Sequence, residues 1–279
     1  MITADNKIWF VTGISSGLGK ALAQSIMNKG DVLLGTFRTP SEVNDFNQKH
    51  QGKGKAYLLD LGKANDIEGV VNQVIAENER IDVLVNNAGT GFIGAVEEAS
   101  MEEVRQVFEI NLFGTLRLTQ AILPHMRKQN KGHIIQISSH GGIKAFAGFG
   151  IYNASKFALE GFSEALAQEV APLGINVSIV EPGPFRTNFA GTKLAEAQTE
   201  ISDYAQTAGA FRTMLKSVDG KQEGDPVKAA QAIINLAYSE QPSLRMPLGK
   251  TALKTIGMKL ESVRNDLESH QKIAEEAVY

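Results

Sequence analysis

The stretch Thr12-Gly13-Ile14-Ser15-Ser16-Gly17-Leu18-Gly19 follows a short apolar segment and opens a helix-like run that starts at Gly17. Glycines in this position permit a tight turn, let a pyrophosphate approach the backbone and allow the helix to pack close to a sheet. The start of the helix adds unpaired N–H groups and positive potential. The stretch therefore predicts a phosphate-binding turn, with an ordinary strand-to-helix turn as the alternative.

Around this turn, short apolar runs alternate with longer amphipathic stretches as far as about residue 248. That alternation is typical of a parallel sheet with helices on both faces. Several runs are rich in Val, Ile and Leu, as strands buried on both faces are. We predict a single α/β domain with a doubly wound parallel sheet of seven strands, at residues 7–12, 31–37, 55–59, 81–86, 133–138, 175–181 and 244–248.

The amphipathic stretches predict the helices. They lie at residues 17–28, 40–50, 64–79, 101–128, 152–171 and 226–239. Residues 189–224 show no clear strand and predict a helical lid, and opposite charges four residues apart, such as Arg264 with Glu268, predict a mostly helical tail. We therefore expect a nucleotide-binding and catalytic domain over residues 1–249, which includes the lid, and a C-terminal extension over residues 250–279.

The composition excludes several classes of function. The 28 Lys and Arg residues against 31 Asp and Glu residues give a net charge of -3, which leaves no basic surplus for a nucleic acid or an anionic membrane. There are no cysteines, so disulfides, thiolate zinc sites and a cysteine nucleophile are excluded. No apolar run has the length of a membrane span, and no leader pattern is evident at the start. We expect a cytoplasmic protein.

Three further motifs follow predicted strands in the same order as the glycine-rich stretch. They are Asn86-Asn87-Ala88-Gly89, the pair Tyr152 and Lys156 with three residues between them, and Pro182-Gly183. With the glycine spacing of residues 13–19, this set resembles the short-chain dehydrogenase/reductase family. The resemblance implies a Rossmann-type fold, a nicotinamide cofactor and reversible hydride transfer to a carbonyl carbon.

The end of the second predicted strand bears on which nicotinamide cofactor is bound. An acidic residue there bonds the ribose of NAD, whereas a nearby arginine accommodates the 2′-phosphate of NADP. The strand ends Gly35-Thr36-Phe37-Arg38, so no acidic group repels a phosphate and the Arg38 guanidinium can bind one. We therefore favour NADP(H), with NAD(H) possible. The alternative is that Arg38 is a solvated surface residue.

Tyr152 and Lys156 are four residues apart near the start of a predicted helix, so both side chains emerge on one face. A nearby ammonium favours the phenolate and makes the tyrosine a better proton-transfer group. An isolated pair at this spacing is otherwise an ordinary helix-surface pair. By the resemblance, Tyr152 exchanges the proton and Lys156 assists it.

The fifth strand ends with two serines, which point to opposite faces if the strand alternates regularly. Ser139 lies thirteen residues before Tyr152 and resembles the catalytic serine of the family, with Ser138 as the competing choice. Asn111 matches the family asparagine that completes a relay to the lysine. Asp60 resembles the residue that contacts the adenine, although a helix N-cap would also explain it.

The resemblance implies the following site. The catalytic residues are Asn111, Ser139, Tyr152 and Lys156, and the cofactor-binding residues are Gly13, Ile14, Ser15, Ser16, Gly17, Leu18, Gly19, Thr36, Phe37, Arg38, Asp60, Leu61, Asn86, Asn87, Ala88, Gly89, Tyr152, Lys156, Pro182, Gly183 and Thr187. No metal is required, and the 5 histidines are scattered without the paired spacing of a zinc site.

We therefore predict an NADP(H)-dependent carbonyl reductase or alcohol dehydrogenase, and keep a catalytically silent NADP(H)-binding sensor or scaffold as the alternative. A methyltransferase with a similar glycine turn would need an acidic residue at the end of the second strand to hold ribose hydroxyls. Residues 36–38 contain none, which disfavours that class. Several phenylalanines are candidates for an apolar substrate pocket, although core packing would also explain them: Phe92, Phe146, Phe149, Phe185, Phe189 and the segment 211–215. The substrate is then a small to medium apolar carbonyl or alcohol, as in the hydroxysteroid and retinol dehydrogenase branch. Family members commonly form homodimers or homotetramers through the helices at 101–128 and 152–171.

Overall fold

A seven-stranded parallel sheet forms the centre of the protein. The computed structural model describes residues 6–63, 66–189, 191 and 194–279. The strand order in this sheet is β3-β2-β1-β4-β6-β7-β9, and all six pairings are parallel. The strands are β1 (Ile8–Val11), β2 (Val32–Phe37), β3 (Gly54–Leu58), β4 (Val83–Asn86), β6 (Gly132–Ile137), β7 (Ile175–Pro182) and β9 (Arg245–Leu248). The predicted seven-stranded α/β fold is confirmed.

Helices cover both faces of this sheet, and each face has its own apolar core. Leu22 and Ile26 of α1 and Ile233 of α8 pack on one face with Trp9. On the other face Leu118 of α5 packs with residues of α3 and α6. The helices are α1 (Gly17–Lys29), α2 (Pro40–Lys49), α3 (Ile67–Asn78), α4 (Met101–Phe108), α5 (Thr115–Gln129), α6 (Gly150–Val170), α7 (Ala210–Ser217), α8 (Pro226–Tyr238) and α9 (Lys250–Glu276).

The direction in which the chain adds strands reverses between β1 and β4. Val11 of β1 pairs with Gly35 of β2 on one side and with Val85 of β4 on the other. At such a switch point the loops after the two strands diverge and leave a crevice at the carboxyl ends of the strands, where ligands of open α/β sheets bind. The crevice therefore opens directly beside the glycine-rich stretch that follows β1.

A second sheet is a finding that the sequence did not predict. Its two short parallel strands are β5 (Gly91–Ile93) and β8 (Leu194–Glu196). The segment 189–224 was expected to be helical, but it also contributes β8, before a π-helical turn at Ala205–Gly209 and then α7. Residues 190 and 192–193 of that segment, and residues 64–65 at the start of the helix predicted over 64–79, lie outside the described residues.

The single helix predicted over residues 101–128 is divided. Between α4 and α5 lies a π-helical segment, Glu109–Gly114. Gly114 lies against the backbone of Leu61, so closely that a Cβ atom there would be 2.3 Å from the Leu61 carbonyl oxygen. The extra residue of a π turn displaces the following side chains, and such turns are frequent at functional sites. The division places Asn111 inside the π segment.

The last helix, α9, packs on the protein only through its first turns. Ala252 is buried, and a Cβ at Gly183 would lie 3.1 Å from the Ala252 nitrogen. Every residue from 261 to 279 is exposed. Among the described residues, none of the helices combines the length and apolar composition that a bilayer span requires.

We expect Gly114→Ala to destabilise the fold, because the new methyl group would overlap the Leu61 carbonyl. Overpacking of this kind costs about 1–3 kcal/mol in the free energy of unfolding. The matched control is Gly161→Ala in α6, where a Cβ meets no atom within 4 Å, and we expect it to stabilise by about 0.5–1 kcal/mol. Denaturant unfolding measures both, and an unchanged stability of Gly114→Ala would contradict the close approach.

Candidate active site

The loop from Gly13 to Gly19, called the glycine turn below, has backbone geometry that needs glycine at two positions. Gly13 has φ +70° and Gly17 has φ +58°, both in the left-handed region. A Cβ at Gly13 would lie 3.1 Å from Ala88, and one at Gly17 would lie 3.3 Å from the Thr187 Cβ. The turn is thus a cradle between the loops that follow β4 and β7.

Side-chain hydrogen bonds fix the glycine turn to the end of β4. The Thr12 hydroxyl accepts the backbone N–H groups of Asn87 and Ala88, each at 3.0 Å. The Asn87 amide nitrogen donates to the carbonyl oxygens of Thr12 (2.9 Å) and Gly13 (3.1 Å). The loops after β1 and β4 therefore have a defined relative position, which is what a preformed binding site requires.

A cleft of about 560 Å³ lies at the carboxyl ends of the strands, beside the glycine turn. Its volume is in the range of small-molecule sites. Most of the predicted residues line it: Gly13, Ser15, Ser16, Gly17, Leu18, Gly19, Thr36, Phe37, Arg38, Asp60, Leu61, Asn87, Ala88, Gly89, Ser139, Tyr152, Lys156, Pro182, Gly183 and Thr187. Ile14, Asn86 and Asn111 are not among the lining residues.

Ile14 and Asn86 instead have partners in the protein interior. Ile14 packs against Gly35, where a Cβ would lie 2.2 Å from the Ile14 side chain. Asn86 is buried and donates from its amide nitrogen to the Thr119 hydroxyl and to the Gln136 side-chain oxygen, both at 3.0 Å. The side chain of Asn86 therefore points into the sheet rather than into the cleft, where a ribose contact was predicted.

At the end of β2, Arg38 is the side chain that remains available. The Thr36 hydroxyl accepts the Gly13 N–H (3.1 Å), and the Phe37 ring packs against Phe46. Arg38 is exposed at the edge of the cleft, so its guanidinium is available to a ligand.

Asp60, which follows the third strand, also lines the cleft. Its carboxylate accepts the N–H of Gly62 at 3.0 Å. The N-cap position of α3 is occupied by Asp66, so Asp60 is not the N-cap of that helix.

Helix α6 brings Tyr152 and Lys156 to the cleft together. Both are buried, at 5% and 6% exposure. The Lys156 ammonium donates to the Ile137 carbonyl oxygen at 2.9 Å, which holds it at the end of β6. The Tyr152 ring lies between Phe149 and Phe189, with ring centroids 5.0 Å and 5.6 Å away. Burial of both polar groups beside the crevice is a pattern expected of a functional site.

Burial changes the pKa of both groups. It raises the pKa of Tyr152 to about 12, and a hydrogen bond with Ser139 opposes that shift. It lowers the pKa of Lys156 to about 8, and the nearby charge of Glu160 opposes that shift. Lys156 was expected to lower the pKa of Tyr152, but this pKa is raised, because desolvation outweighs the hydrogen bond with Ser139 and Lys156 is not among the groups that shift it. Near pH 7 the phenol is therefore protonated, and the lysine is mostly charged.

The two serines after β6 have different surroundings. The Ser139 hydroxyl accepts the Gly141 N–H (3.0 Å) and lies beside the Tyr152 phenol. The Ser138 hydroxyl lies instead next to Gly142 and Glu160. A Cβ at Gly142 would be 2.6 Å from the Ser138 hydroxyl oxygen and 3.0 Å from the Glu160 side chain. Ser139, not Ser138, is thus the serine that shares a side of the cleft with Tyr152.

Asn111 lies behind the cleft and connects three segments. Its side-chain oxygen accepts the Thr90 N–H (2.8 Å), and its amide nitrogen donates to the Thr90 carbonyl (2.9 Å) and to the Ser155 hydroxyl (3.0 Å). A Cβ at Gly89 would lie 3.2 Å from the Asn111 oxygen and 3.6 Å from the Lys156 nitrogen. Asn111 therefore holds the loop after β4 against α6, next to the lysine.

The phenylalanines divide between cleft and core. Phe146, Phe149, Phe185 and Phe189 line the cleft together with Leu215, whereas Phe92 is buried in a small core with Val107 and Ala197. Ser138, the competing serine, also lines the cleft. Several other lining residues were not predicted from the sequence: Leu59, Thr90, Ile110, Ile137, His140, Gly141, Pro184, Asn188, Leu194, Ala195, Val218 and Gln222. Thr90 was within reach of a sequence argument because it directly follows the Asn-Ala-Gly motif.

A charged cluster behind the cleft was also missed. Arg245 of β9 lies 3.4 Å from the Glu160 carboxylate, 3.3 Å from that of Glu181 and 2.7 Å from that of Glu164. Glu160 is buried one helical turn after Lys156, and that spacing is the signal that could have found it. The pKa of Glu181 is raised to about 7, by burial and by the charge of Glu160.

The glycine turn at a switch point, with buried Tyr, Lys and Ser side chains around one cleft, defines a nucleotide-binding α/β protein with a candidate catalytic centre. Within the part of the chain that the structure describes, no three His, Asp or Glu side chains come together as a metal site. The sequence profile of the short chain dehydrogenases matches residues 7–198. The chain belongs to the short-chain dehydrogenase/reductase family.

Relatives from bacteria and animals support this assignment. The chain is 39% identical over 246 residues to 3-ketodihydrosphingosine reductase of Bacteroides thetaiotaomicron, with 87% of this chain and 88% of that protein covered. It is 34% identical over 266 residues to retinol dehydrogenase 8 of Homo sapiens, with 88% and 84% covered. The family assignment makes the protein an oxidoreductase.

Solved structures agree over nearly the whole chain. A short-chain dehydrogenase from Streptomyces avermitilis superposes with a TM-score of 0.93 at 41% identity and covers 99% of this chain and 100% of its own. A metagenomic short-chain oxidoreductase in complex with NADP has a TM-score of 0.68 at 25% identity, with 87% and 96% covered. A Burkholderia phymatum enzyme in complex with NAD shares the fold, at a TM-score of 0.82 and 21% identity with 95% and 97% covered. The chain therefore has the fold of these enzymes over nearly its whole length.

We expect Glu160→Gln to lower the pKa of Lys156 below about 8, because the negative charge of Glu160 favours the ammonium form. The measurement is a pH titration of the ¹³C-dimethylated lysine signal, assigned by its absence in Lys156→Arg. The control is Glu164→Gln, which also removes a partner of Arg245 but is not among the groups that shift Lys156. A Lys156 pKa unchanged in Glu160→Gln would show that this carboxylate does not act on the lysine.

Proposed function

We propose that the protein is an NADP(H)-dependent oxidoreductase that transfers a hydride between the nicotinamide and the carbon of a carbonyl or secondary alcohol. The observation that carries the proposal is the placement of Ser139, Tyr152 and Lys156 around one cleft that also contains the glycine turn. Protonated donors of this kind stabilise negative charge that develops on a carbonyl oxygen. The grouping of these donors in one cleft supports a site for a substrate oxygen next to the cofactor.

The residues present fit a dinucleotide. The glycine turn leaves a cradle that side chains at Gly13 and Gly17 would fill, and we propose that it holds the pyrophosphate. Arg38 and Asp60 would bind the adenosine half, and the loop at 182–187 the nicotinamide half. When bound, the cofactor supplies the hydride chemistry.

The side chains then have separate roles in reduction. The Ser139 hydroxyl donates a hydrogen bond to the carbonyl oxygen, and Tyr152, which is protonated near pH 7, gives its proton to that oxygen as the alcohol forms. Lys156 remains mostly cationic near pH 7 and stabilises the phenolate that is left. Asn111 acts through position, since it holds the loop after β4 against α6.

We propose NADP(H) as the preferred form because of the end of β2. Thr36 and Phe37 already have partners, and Arg38 is the one cationic side chain among the described lining residues besides Lys156. Among the described residues, Arg38 makes no ion pair or hydrogen bond. A guanidinium at this place is suited to a 2′-phosphate.

The substrate is proposed to be a small to medium apolar carbonyl compound or alcohol. Phe146, Phe149, Phe185, Phe189 and Leu215 make one part of the cleft apolar. The names of two relatives specify reduction of a ketone and dehydrogenation of retinol. Both are consistent with such a pocket.

The remaining expectations are proposals about organisation. We propose residues 1–249 as the catalytic domain, with the segment 189–224 as a cover of the substrate region, and residues 250–279 as an extension. A homodimer or homotetramer through α4–α5 and α6 is supported by Phe113 and Phe157, which are 43% and 41% exposed. The cytoplasmic location stays a prediction.

We expect Tyr152→Phe to lower kcat by about 10²–10⁴-fold, because it removes the proton donor, while the affinity for NADPH is retained. Oxidation of NADPH with a panel of ketones and aldehydes, followed at 340 nm, measures kcat, and fluorescence titration measures affinity. Tyr204→Phe is the control, because that phenol lies outside the cleft and bonds Glu97. Full turnover in Tyr152→Phe would reject the role, and NADPH binding by the wild type without oxidation would indicate a silent sensor.

We expect Arg38→Ala to weaken NADPH binding about 10–100-fold, as for the loss of a charged hydrogen bond, with little change for NADH. Titration of both cofactors with both proteins measures the four dissociation constants. Lys20→Ala is the matched control, since this exposed cation of α1 does not line the cleft. An equal effect on NADH and NADPH would contradict selection by Arg38.

A further inference from the structure

His140 is a polar side chain in the apolar part of the cleft. It follows Ser139 directly and begins the short 3₁₀ turn His140–Gly142. Its half-buried ring lines the cleft and lies against Phe146, with ring centroids 5.0 Å apart. None of the roles assigned above uses this imidazole.

The first turns of α9 contact one of the two ring nitrogens of His140. His140 Nδ1 lies 3.0 Å from the Thr255 hydroxyl oxygen. That hydroxyl has one hydrogen, and it donates to the helix carbonyls of Thr251 (2.8 Å) and Ala252 (3.2 Å). With its hydrogen given to one of these carbonyls, Thr255 accepts from His140, which places the proton on Nδ1 and leaves a lone pair on Nε2.

The Nε2 atom has no hydrogen-bond partner among the described residues. It is also absent from the set of fully buried, unpartnered polar atoms, so a ligand can reach it. The two ring nitrogens point to nearly opposite sides of the ring, so Nε2 is directed away from Thr255. Burial lowers the pKa of His140, which keeps the ring neutral near pH 7. A hydrogen-bond acceptor thus belongs to a residue that lines the cleft and directly follows Ser139.

We propose that Nε2 of His140 accepts a hydrogen bond from a hydroxyl group that the substrate carries one or two carbons from the reacting carbonyl. The inference rests on the proposed function, in which Ser139 binds the carbonyl oxygen. His140 and Ser139 are neighbours in the chain and both line the cleft, and the His140 ring contacts Phe146, which also lines it. The substrate class is a hydroxyketone, or the corresponding diol, with an apolar remainder against the phenylalanines.

The first experiment tests the tautomer without any turnover. Long-range ¹⁵N–¹H NMR spectra of the full chain, assigned by the signals missing in His140→Phe, should show the proton on Nδ1. Addition of 1-hydroxy-2-octanone to the protein with NADP⁺ should shift the Nε2 resonance, whereas 3-nonanone, in which a methyl group replaces the hydroxyl, should not. A proton found on Nε2, or equal shifts with both ketones, would overturn the proposal.

The second experiment measures specificity. The ratio of kcat/KM for 1-hydroxy-2-octanone over 3-nonanone should fall about three- to tenfold in His140→Phe, the range for loss of a neutral hydrogen bond. His140→Asn, which keeps an N–H for Thr255, should show the same fall if the phenylalanine variant folds poorly. His125→Asn on α5, outside the cleft, should keep the wild-type ratio.

The outcomes separate this inference from the proposed function. Turnover of both ketones by the wild type, with a ratio that His140→Phe leaves unchanged, would overturn the role of His140 and leave the oxidoreductase proposal standing. No oxidation of NADPH with either ketone or with any other carbonyl compound would overturn both.

Discussion

The close approach of the glycine turn to the end of β4 is the constraint on which the rest of the site depends. A Cβ at Gly19 would lie 2.4 Å from the Asn87 amide nitrogen and from the Gly13 carbonyl oxygen, so α1 and β4 are in contact through backbone and short side chains. Four hydrogen bonds between the Thr12–Gly13 segment and the residues Asn87 and Ala88 stabilise this contact. Because backbone atoms form this contact, a side chain at Gly19 would push α1 away from the end of β4 and widen the site.

The segment at residues 87–90 connects the two halves of the cleft. Its first residues bond the glycine turn, whereas Thr90 bonds Asn111 and Gly89 lies beside the Lys156 nitrogen. Asn111 lies in the π turn between α4 and α5 and bonds both this segment and Ser155. One short loop thus positions both the glycine turn and the candidate catalytic residues. A displacement of either would move this loop and so displace the other.

The sequence predicted the features that depend on local pattern and missed those that depend on distant partners. The seven strands and the glycine turn were found because buried apolar runs and a loop with positive φ angles leave a signal in consecutive residues. Strands β5 and β8 are three residues each and pair across about one hundred residues, so no periodicity marks them. Asn86 matched a motif, but its neighbours Thr119 and Gln136 turn it into the sheet. The contact of Thr255 with His140 joins residues 115 apart and could be found only in the structure.

The central claim is direct transfer of a hydride within this cleft. Isotope labelling of the cofactor tests it most directly. The full-length protein is incubated with a ketone and NADPH that carries deuterium at both hydrogens of nicotinamide C4, and the alcohol is analysed by mass spectrometry and NMR. The account predicts one deuterium on the carbinol carbon, none of it exchanged with water, and loss of the labelled product in Tyr152→Phe. An alcohol without deuterium at that carbon would contradict it.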